Sequence, residues 1–330
     1  MGINSPEQFM GMMSGFQAPC VVGAAAELDV YNALEKGPRT AAELAQHCQA
    51  DLRAMTALLD ALAALEVLVK EGERYRLAAD VAPLLLDSSP RSFASMIRHQ
   101  LNCLRSWGEL ARVTRKGVPA KRKASIRGAR ADRAAFLQAM NDLSGPMAPG
   151  LIEKLKPLSF LHLLDVGGAS GTWTAAFLKA VPGATATLFD LPDAIPHAKR
   201  RMKANGMTSR VALVAGDFDT DDLPKGADYA WVSAIIHQNS REQNRALFRK
   251  VFAALNSGGR IVIRDVVMDP TRTQPRGGAL FAINMLVNTP AGGTFTLAEL
   301  DEDLRQAGFG PAKQLLADPF MNSVVEATKP

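Results

Sequence analysis

Leu161-His-Leu-Leu-Asp-Val-Gly-Gly-Ala-Ser-Gly171 reads as an apolar strand running into a glycine turn, with a helix expected from about Thr172. A turn in that position lies at the carboxyl end of a strand, where open α/β sheets bind their ligands. Glycine there permits backbone angles closed to other residues and lets a ligand approach the main chain. The glycines alone do not identify the ligand, because dinucleotide-binding folds share such a turn. The order of residues is more informative. A pyrophosphate site needs G-x-G-x-x-G ahead of a helix N-terminus, whereas this chain has Asp165-x-Gly167-x-Ala169-x-Gly171. An acid at the strand end repels a pyrophosphate and suits a ligand that carries an ammonium group.

Two further acids lie downstream. Phe189-Asp190-Leu191-Pro192 closes the next expected strand, 25 residues after Asp165. A carboxylate there can take both hydroxyls of a ribose. Gly216-Asp217-Phe218 closes the third strand, offering a carboxylate to an adenine amino group and a ring to its face. Each acid alone is an ordinary cap or turn residue. Three at successive strand ends, in this order, describe an adenosine joined to an ammonium-bearing tail without phosphate, which is the make-up of S-adenosylmethionine.

Around the turn, residues 158–330 alternate short apolar strands with amphipathic helices, the pattern of a doubly wound α/β sheet. Strands are expected at Leu161–Val166, Ala186–Leu191, Val211–Ala215, Tyr229–Ile236, Arg260–Val267, Ala312–Leu316 and Ser323–Lys329. No helix separates the last two, so they should form a hairpin with one strand antiparallel. Residues 1–110 are helical in period. Thr40-Ala-Ala-Glu43 has the form of a capping box, and Asp51 starts a second helix with Met55, Leu58, Leu59, Leu62 and Leu65 on one stripe. Val67–Lys70 and Arg74–Leu77 then read as a two-stranded wing around Gly72. Helix, turn, helix, wing is a winged-helix pattern. Residues 111–157 form a basic linker and connecting helix.

Composition sets the outer limits. Apolar residues make up 47% of the chain with ordinary charge content, as in soluble globular proteins. No stretch reaches the roughly 18 consecutive apolar residues of a membrane helix, and Met1–Met13 lacks a secretory pattern. No membrane partner is therefore expected. Cys20, Cys48 and Cys103 stand far apart without CxxC spacing, so reduced, buried cysteines, no metal and a cytoplasmic setting are expected. The net charge of +5 is uneven: Ala111–Arg133 holds nine basic residues against Asp132. That run is either a solvated connector or a patch for an anionic substrate. Nucleic acid is not favoured, because residues 51–66 carry Arg53 against Asp51, Asp60 and Glu66, the wrong balance for a helix that reads DNA. The apolar, methionine-rich segment Phe9–Leu34 instead calls for a protein partner.

The series DVGGASG, FDLP, AGDF and SAIIH, with AGGTFTLAEL and QAGF near the end, resembles the S-adenosylmethionine-dependent O-methyltransferases of the caffeic-acid, acetylserotonin and hydroxyneurosporene type. The resemblance covers nearly the whole chain. It implies a Rossmann-like class I methyltransferase fold plus an N-terminal all-α winged-helix dimerisation domain, a homodimer, and S-adenosylhomocysteine as product. Carried over by position, Asp165, Gly167, Gly168, Gly171, Asp190, Leu191, Asp217, Phe218, Ser233 and Ser144 would bind the cofactor. Phe136, Met140, Trp107, Phe281, Met285 and Asn288 would line the acceptor pocket. His237 takes the place of the catalytic base, and Asp265, closing IVIRD, supports it. The chain departs from the family at Ala169, at Gln238-Asn239 after the histidine, and at Phe295, where plant members carry a second acid.

Methyl transfer from a sulfonium is an in-line displacement, so positioning carries much of the rate. A phenol with a pKa near 10 is mostly protonated at neutral pH. An imidazole at His237 can take that proton, with Asp265 accepting its other N–H, the base-and-orienter arrangement of catalytic triads. The implied acceptor is a small aromatic or apolar molecule bearing a hydroxyl. Transfer to nitrogen or carbon, a relative that binds the cofactor but decarboxylates or hydroxylates, and a winged-helix regulator are the alternatives.

Overall fold

The computed structural model describes residues 4–330. The chain divides into two compact units, one taking in residues up to Gly108 together with Lys121–Asp142, the other Glu109–Ala120 together with Leu143–Pro330. The basic run therefore forms no body of its own, and helix Ala129–Lys154 begins in one unit and ends in the other.

The larger unit holds a seven-stranded sheet. Its strands are β1 His162–Val166, β2 Thr185–Asp190, β3 Val211–Ala215, β4 Ala227–Ser233, β5 Leu255–Asp265, β6 Lys313–Leu316 and β7 Ser323–Thr328. They run in the order β6-β7-β5-β4-β1-β2-β3. The first five are parallel, while β7 lies antiparallel to both β5 and β6, as the expected hairpin requires. Helices cover both faces, so β1, β4 and β5 are apolar on both sides rather than alternating. One face packs Leu164, Val232 and Ile263 against Phe248 and Val251 of helix Arg241–Ala254. The other packs Leu163, Trp231 and Val262 against Phe177 of helix Thr172–Ala180 and Leu151 and Ile152 of the long helix. Each such side chain, wholly removed from water, contributes about 1.5–3 kcal/mol.

In the smaller unit the Thr40–Glu43 capping box forms, Asp51 caps helix Leu52–Ala64, and Met55, Leu59 and Leu62 are buried. The wing pairs Leu68–Glu71 with Arg74–Leu77, and Arg39–Thr40 adds a third short strand, so the unit is helical with a small sheet rather than all-α. Its first helices, Pro6–Ser14 and Gln17–Glu27, leave Phe9, Met10, Met12, Met13 and Phe16 exposed. Among the described residues the stretch Pro6–Glu27 has the length and mean hydropathy of a membrane span, which counting consecutive apolar residues passes over. A turn at Gly15-Phe16 breaks it in two. The three cysteines are half-buried and unpaired, less enclosed than expected.

Candidate functional site

From β1 the chain steps outward to β2 and β3, then returns to place β4 and β5 on the other side of β1. The strand order reverses between β1 and β4, and a crevice at the carboxyl ends of such a pair is where α/β sheets bind ligands. The glycine turn follows β1 at that point. Gly167, Ala169 and Gly171 all take left-handed backbone angles, with φ of 66°, 46° and 77°. For an alanine that conformation costs about 1–2 kcal/mol. It is held by the Ala169 N–H, which donates to Asp190 Oδ2 at 2.7 Å. Asp190 also accepts from the N–H of Leu191 at 2.7 Å, and Leu191 itself is exposed. Burial pushes the Asp190 carboxyl up, against the pull of those two N–H groups. The turn is close-packed beneath: a Cβ on Gly167 would stand 2.4 Å from Ile235 Cδ1, and the Phe218 ring lies 3.8 Å from the same point.

Asp165 departs from its expected position. Its carboxylate is 1% exposed, accepts from the Thr174 hydroxyl, and lies directly under Gly168, where a Cβ would come within 2.8 Å of Oδ2. It supports the turn from inside rather than facing an ammonium group. Burial pushes this carboxyl up to about 7. Folding then takes up a proton between the ordinary carboxylate range and about pH 7, so the protein without ligand should lose stability as pH rises through that window. Asp165→Asn, which keeps an acceptor for Thr174, is expected to flatten this slope by a few kcal/mol between pH 5 and 8. Denaturant titrations at both pH values measure it, and equal slopes in variant and wild type would refute the assignment.

Of the other cofactor candidates, Asp217 and Ser233 lie at strand ends and Ser144 on the long helix. Asp217, half-buried after β3, accepts from the Asp219 N–H at 2.9 Å. Ser233 ends β4, and Ser144 is half-buried on the long helix.

β4 stops at Ser233, not at Ile236 as expected. Ala234 turns left-handed with φ 58°, and Ile236–Gln238 form a single 3₁₀ turn that carries His237. His237 is 7% exposed, and its Nδ1 lies 2.9 Å from both carboxylate oxygens of Asp265. An ionised Asp265 can only accept, so Nδ1 carries the hydrogen and Nε2 keeps its lone pair. Nε2 has no hydrogen-bond partner among the described residues. The Phe281 ring stands edge-on to the imidazole at 4.9 Å. The backbone is fixed as well: His237 O accepts from the Gly293 N–H at 2.9 Å, and a Cβ on Gly292 would approach that oxygen to 2.5 Å. A buried side-chain amide pair braces the turn, with Asn239 donating to Asn244 and Asn244 donating to Ile236 O at 3.0 Å. Thus the departure at Asn239 is built into the support of His237. Phe295 is packed in the hydrophobic core, so no second acid stands in its place.

Of the acceptor candidates, Phe281 meets His237, and Met285 is buried on the same helix, Arg276–Asn288. Asn288 donates to Asn284 of that helix, at 2.9 Å to its backbone oxygen. Phe136, Met140 and Trp107 belong to the other unit, where the Phe136 ring packs 5.1 Å from that of His99. The basic run is largely exposed, with Arg112 paired to Glu109 at 2.7 Å, as a solvated connector would be. The sequence reading passed over the Asn239–Asn244 brace, the bend at Ala234, and Arg264, an arginine inside a buried central strand. Only Arg264 left a signal, as a charge within an apolar run.

Comparison with known proteins points to a single family. Residues 117–310 match the family model described as an O-methyltransferase domain, and residues 10–88 match the O-methyltransferase dimerisation domain. The chain is 30% identical to the 3-hydroxy-5-methyl-1-naphthoate 3-O-methyltransferase of Streptomyces sahachiroi, over 98% of this chain and 95% of that one. It is also 30% identical to the tetracenomycin polyketide synthesis 8-O-methyl transferase TcmO of Streptomyces glaucescens, over 93% and 92%. Human N-acetylserotonin methyltransferase, solved in complex with S-adenosylmethionine, shares the fold with a TM-score of 0.80 at 24% identity, over 100% and 99% of the two chains.

Proposed function

The chain belongs to the S-adenosylmethionine-dependent O-methyltransferases, with their catalytic and dimerisation domains, and from that premise we propose that it methylates a phenolic hydroxyl on a small aromatic acceptor, with His237 as general base. The observation that carries this reading is the buried imidazole whose Nδ1 is held by Asp265 while Nε2 is left to accept a proton. Two relatives named for O-methylation, one of a hydroxynaphthoate and one in tetracenomycin polyketide synthesis, support an aromatic acceptor.

The residues around the turn fit S-adenosylmethionine: Asp190 for the ribose, Asp217 and Phe218 for the adenine, and a glycine turn open to close approach. When bound, the cofactor supplies an electrophilic methyl on a sulfonium. His237 Nε2 would accept the hydroxyl proton as the acceptor oxygen takes that methyl from the sulfonium. Asp265 then faces an imidazolium, whose charge it offsets without taking the proton. Phe281, edge-on to the ring, helps fix the imidazole plane.

The exposed apolar helices at the N-terminus supply the face of a homodimer rather than a membrane contact, and the unpaired cysteines suit a reducing cytoplasm. Nucleic acid is not a partner on this reading. Transfer of labelled methyl to a panel of phenols and hydroxynaphthoates, with the modified atom located by NMR, tests the reaction. Methylation at nitrogen or carbon would overturn the assignment of a phenolic acceptor. Asp190→Ala is expected to raise the Kd for S-adenosylhomocysteine about 10- to 100-fold, since the ribose hydroxyls lose a charged acceptor. Calorimetry reads this directly, and an unchanged Kd would remove Asp190 from the site.

A further inference from the structure

Arg264, on β5, is 3% exposed, yet every hydrogen bond of its guanidinium goes to a neutral group. Nη1 donates to Ser233 Oγ at 3.1 Å, while Nε and Nη2 donate to Asn322 Oδ1 at 3.0 and 2.7 Å. The guanidinium also stacks on Trp173, 4.8 Å from the ring. Burial lowers its pKa to about 10, against the pull of the Asp265 and Asp318 charges, neither of which hydrogen-bonds it. A buried cation whose hydrogen bonds all go to neutral groups is costly, and a further anion brought near it lowers that cost.

Its partners show where that anion comes. Ser233 lies at the end of β4, one residue past the Val232 that pairs with Val166 of β1, and so beside the glycine turn. Trp173 lies in the first turn of helix Thr172–Ala180, whose N-cap is Gly171. Asp190 and Asp217 place the adenosine over β2 and β3, so the other end of the cofactor points toward β4. That end carries the only anionic group of S-adenosylmethionine, its carboxylate.

We propose that Arg264 is a positioning residue for the cofactor's carboxylate, acting through the hydroxyl of Ser233. Because Arg264 donates to Ser233 Oγ, the serine oxygen is engaged as an acceptor and its hydrogen is left to be given outward. The cation behind the hydroxyl strengthens that donation, as in charge-assisted hydrogen bonds. The helix N-terminus at Thr172 adds positive potential on the same side. This inference rests on the cofactor reading above.

The test compares two ligands that differ only in the carboxylate, S-adenosylhomocysteine and its decarboxylated analogue, by calorimetry on the full-length protein. Wild type is expected to bind the first more tightly by tenfold or more. Arg264→Gln should weaken S-adenosylhomocysteine about 10- to 100-fold and the decarboxylated analogue less than about threefold. Arg264→Lys should recover part of the difference, and Ser233→Ala should reproduce much of the loss. The ratio of the two affinities within one variant does not depend on how much of the sample is folded, so a destabilised variant remains readable. Equal weakening of both ligands, or a wild type that does not distinguish them, overturns the role of Arg264 and leaves the cofactor assignment standing. A wild type that binds neither ligand overturns both.

Discussion

Replacing His237 with alanine is expected to lower kcat by about 10²- to 10⁴-fold while leaving the Kd for S-adenosylhomocysteine within about twofold. The size follows from what the residue supplies. A phenol that loses its proton only as it attacks needs an acceptor in place, and Nε2 of the buried His237 has its lone pair left for that proton. The glycine turn, Asp190 and Asp217 do not touch the imidazole, so cofactor binding should survive. The residual rate of the variant should climb as pH approaches the pKa of the phenol near 10, because the phenolate needs no base. Initial rates from pH 6 to 10, beside calorimetry with S-adenosylhomocysteine, measure both parts. A kcat within threefold of wild type at pH 7 would remove His237 from the chemistry.

Asp265→Asn should be nearly as damaging, by about 10³- to 10⁴-fold in kcat, although it deletes only a charge. The backbone N–H of Val266 donates to Asp265 Oδ1 at 2.7 Å. In the variant that N–H claims the single amide oxygen, which turns the NH₂ group toward His237 Nδ1. The ring must then accept at Nδ1, and its hydrogen moves to Nε2, the atom required as the base. Asp265→Ala leaves the ring free to choose its tautomer and is expected to retain more activity than the asparagine variant, despite the larger deletion. The two kcat values, taken with melting curves showing both variants folded, decide the point. If asparagine is the milder change, Asp265 acts by holding the ring in place through a hydrogen bond and not through the tautomer.

The sheet was legible because its strands are apolar runs bounded by capping signals. The Thr40, Asp51, Ser240 and Thr296 caps all form as their spacing implies. The expected bounds failed at strand ends: β5 begins at Leu255, five residues before the expected Arg260, and other misses lie near the site. β4 was read three residues too long because Ala234, Ile235 and Ile236 continue its apolar pattern, and only the left-handed angle at Ala234 ends it. Ala169 looked like a flaw in the turn, since nothing local shows that Asp190 holds it in a glycine-like conformation. Asp165 was correctly placed at a strand end, but its carboxylate points beneath the turn, into a core that the sequence does not display.

The sequence by itself determined the alternation of strands and helices, the glycine turn, and the acids at the ends of β1, β2 and β3. These depend on periodicity and on residues within a few positions of one another. Tertiary structure alone decided which side chains meet. His237 and Asp265 are 28 residues apart, and Arg264 reaches Ser233 across 31 and Asn322 across 58. Neighbours in a parallel sheet are separated by whole crossover helices, and successive side chains on a strand face opposite sides. Arg264 and Asp265 are adjacent in the chain, yet one turns toward Trp173 and the other toward His237.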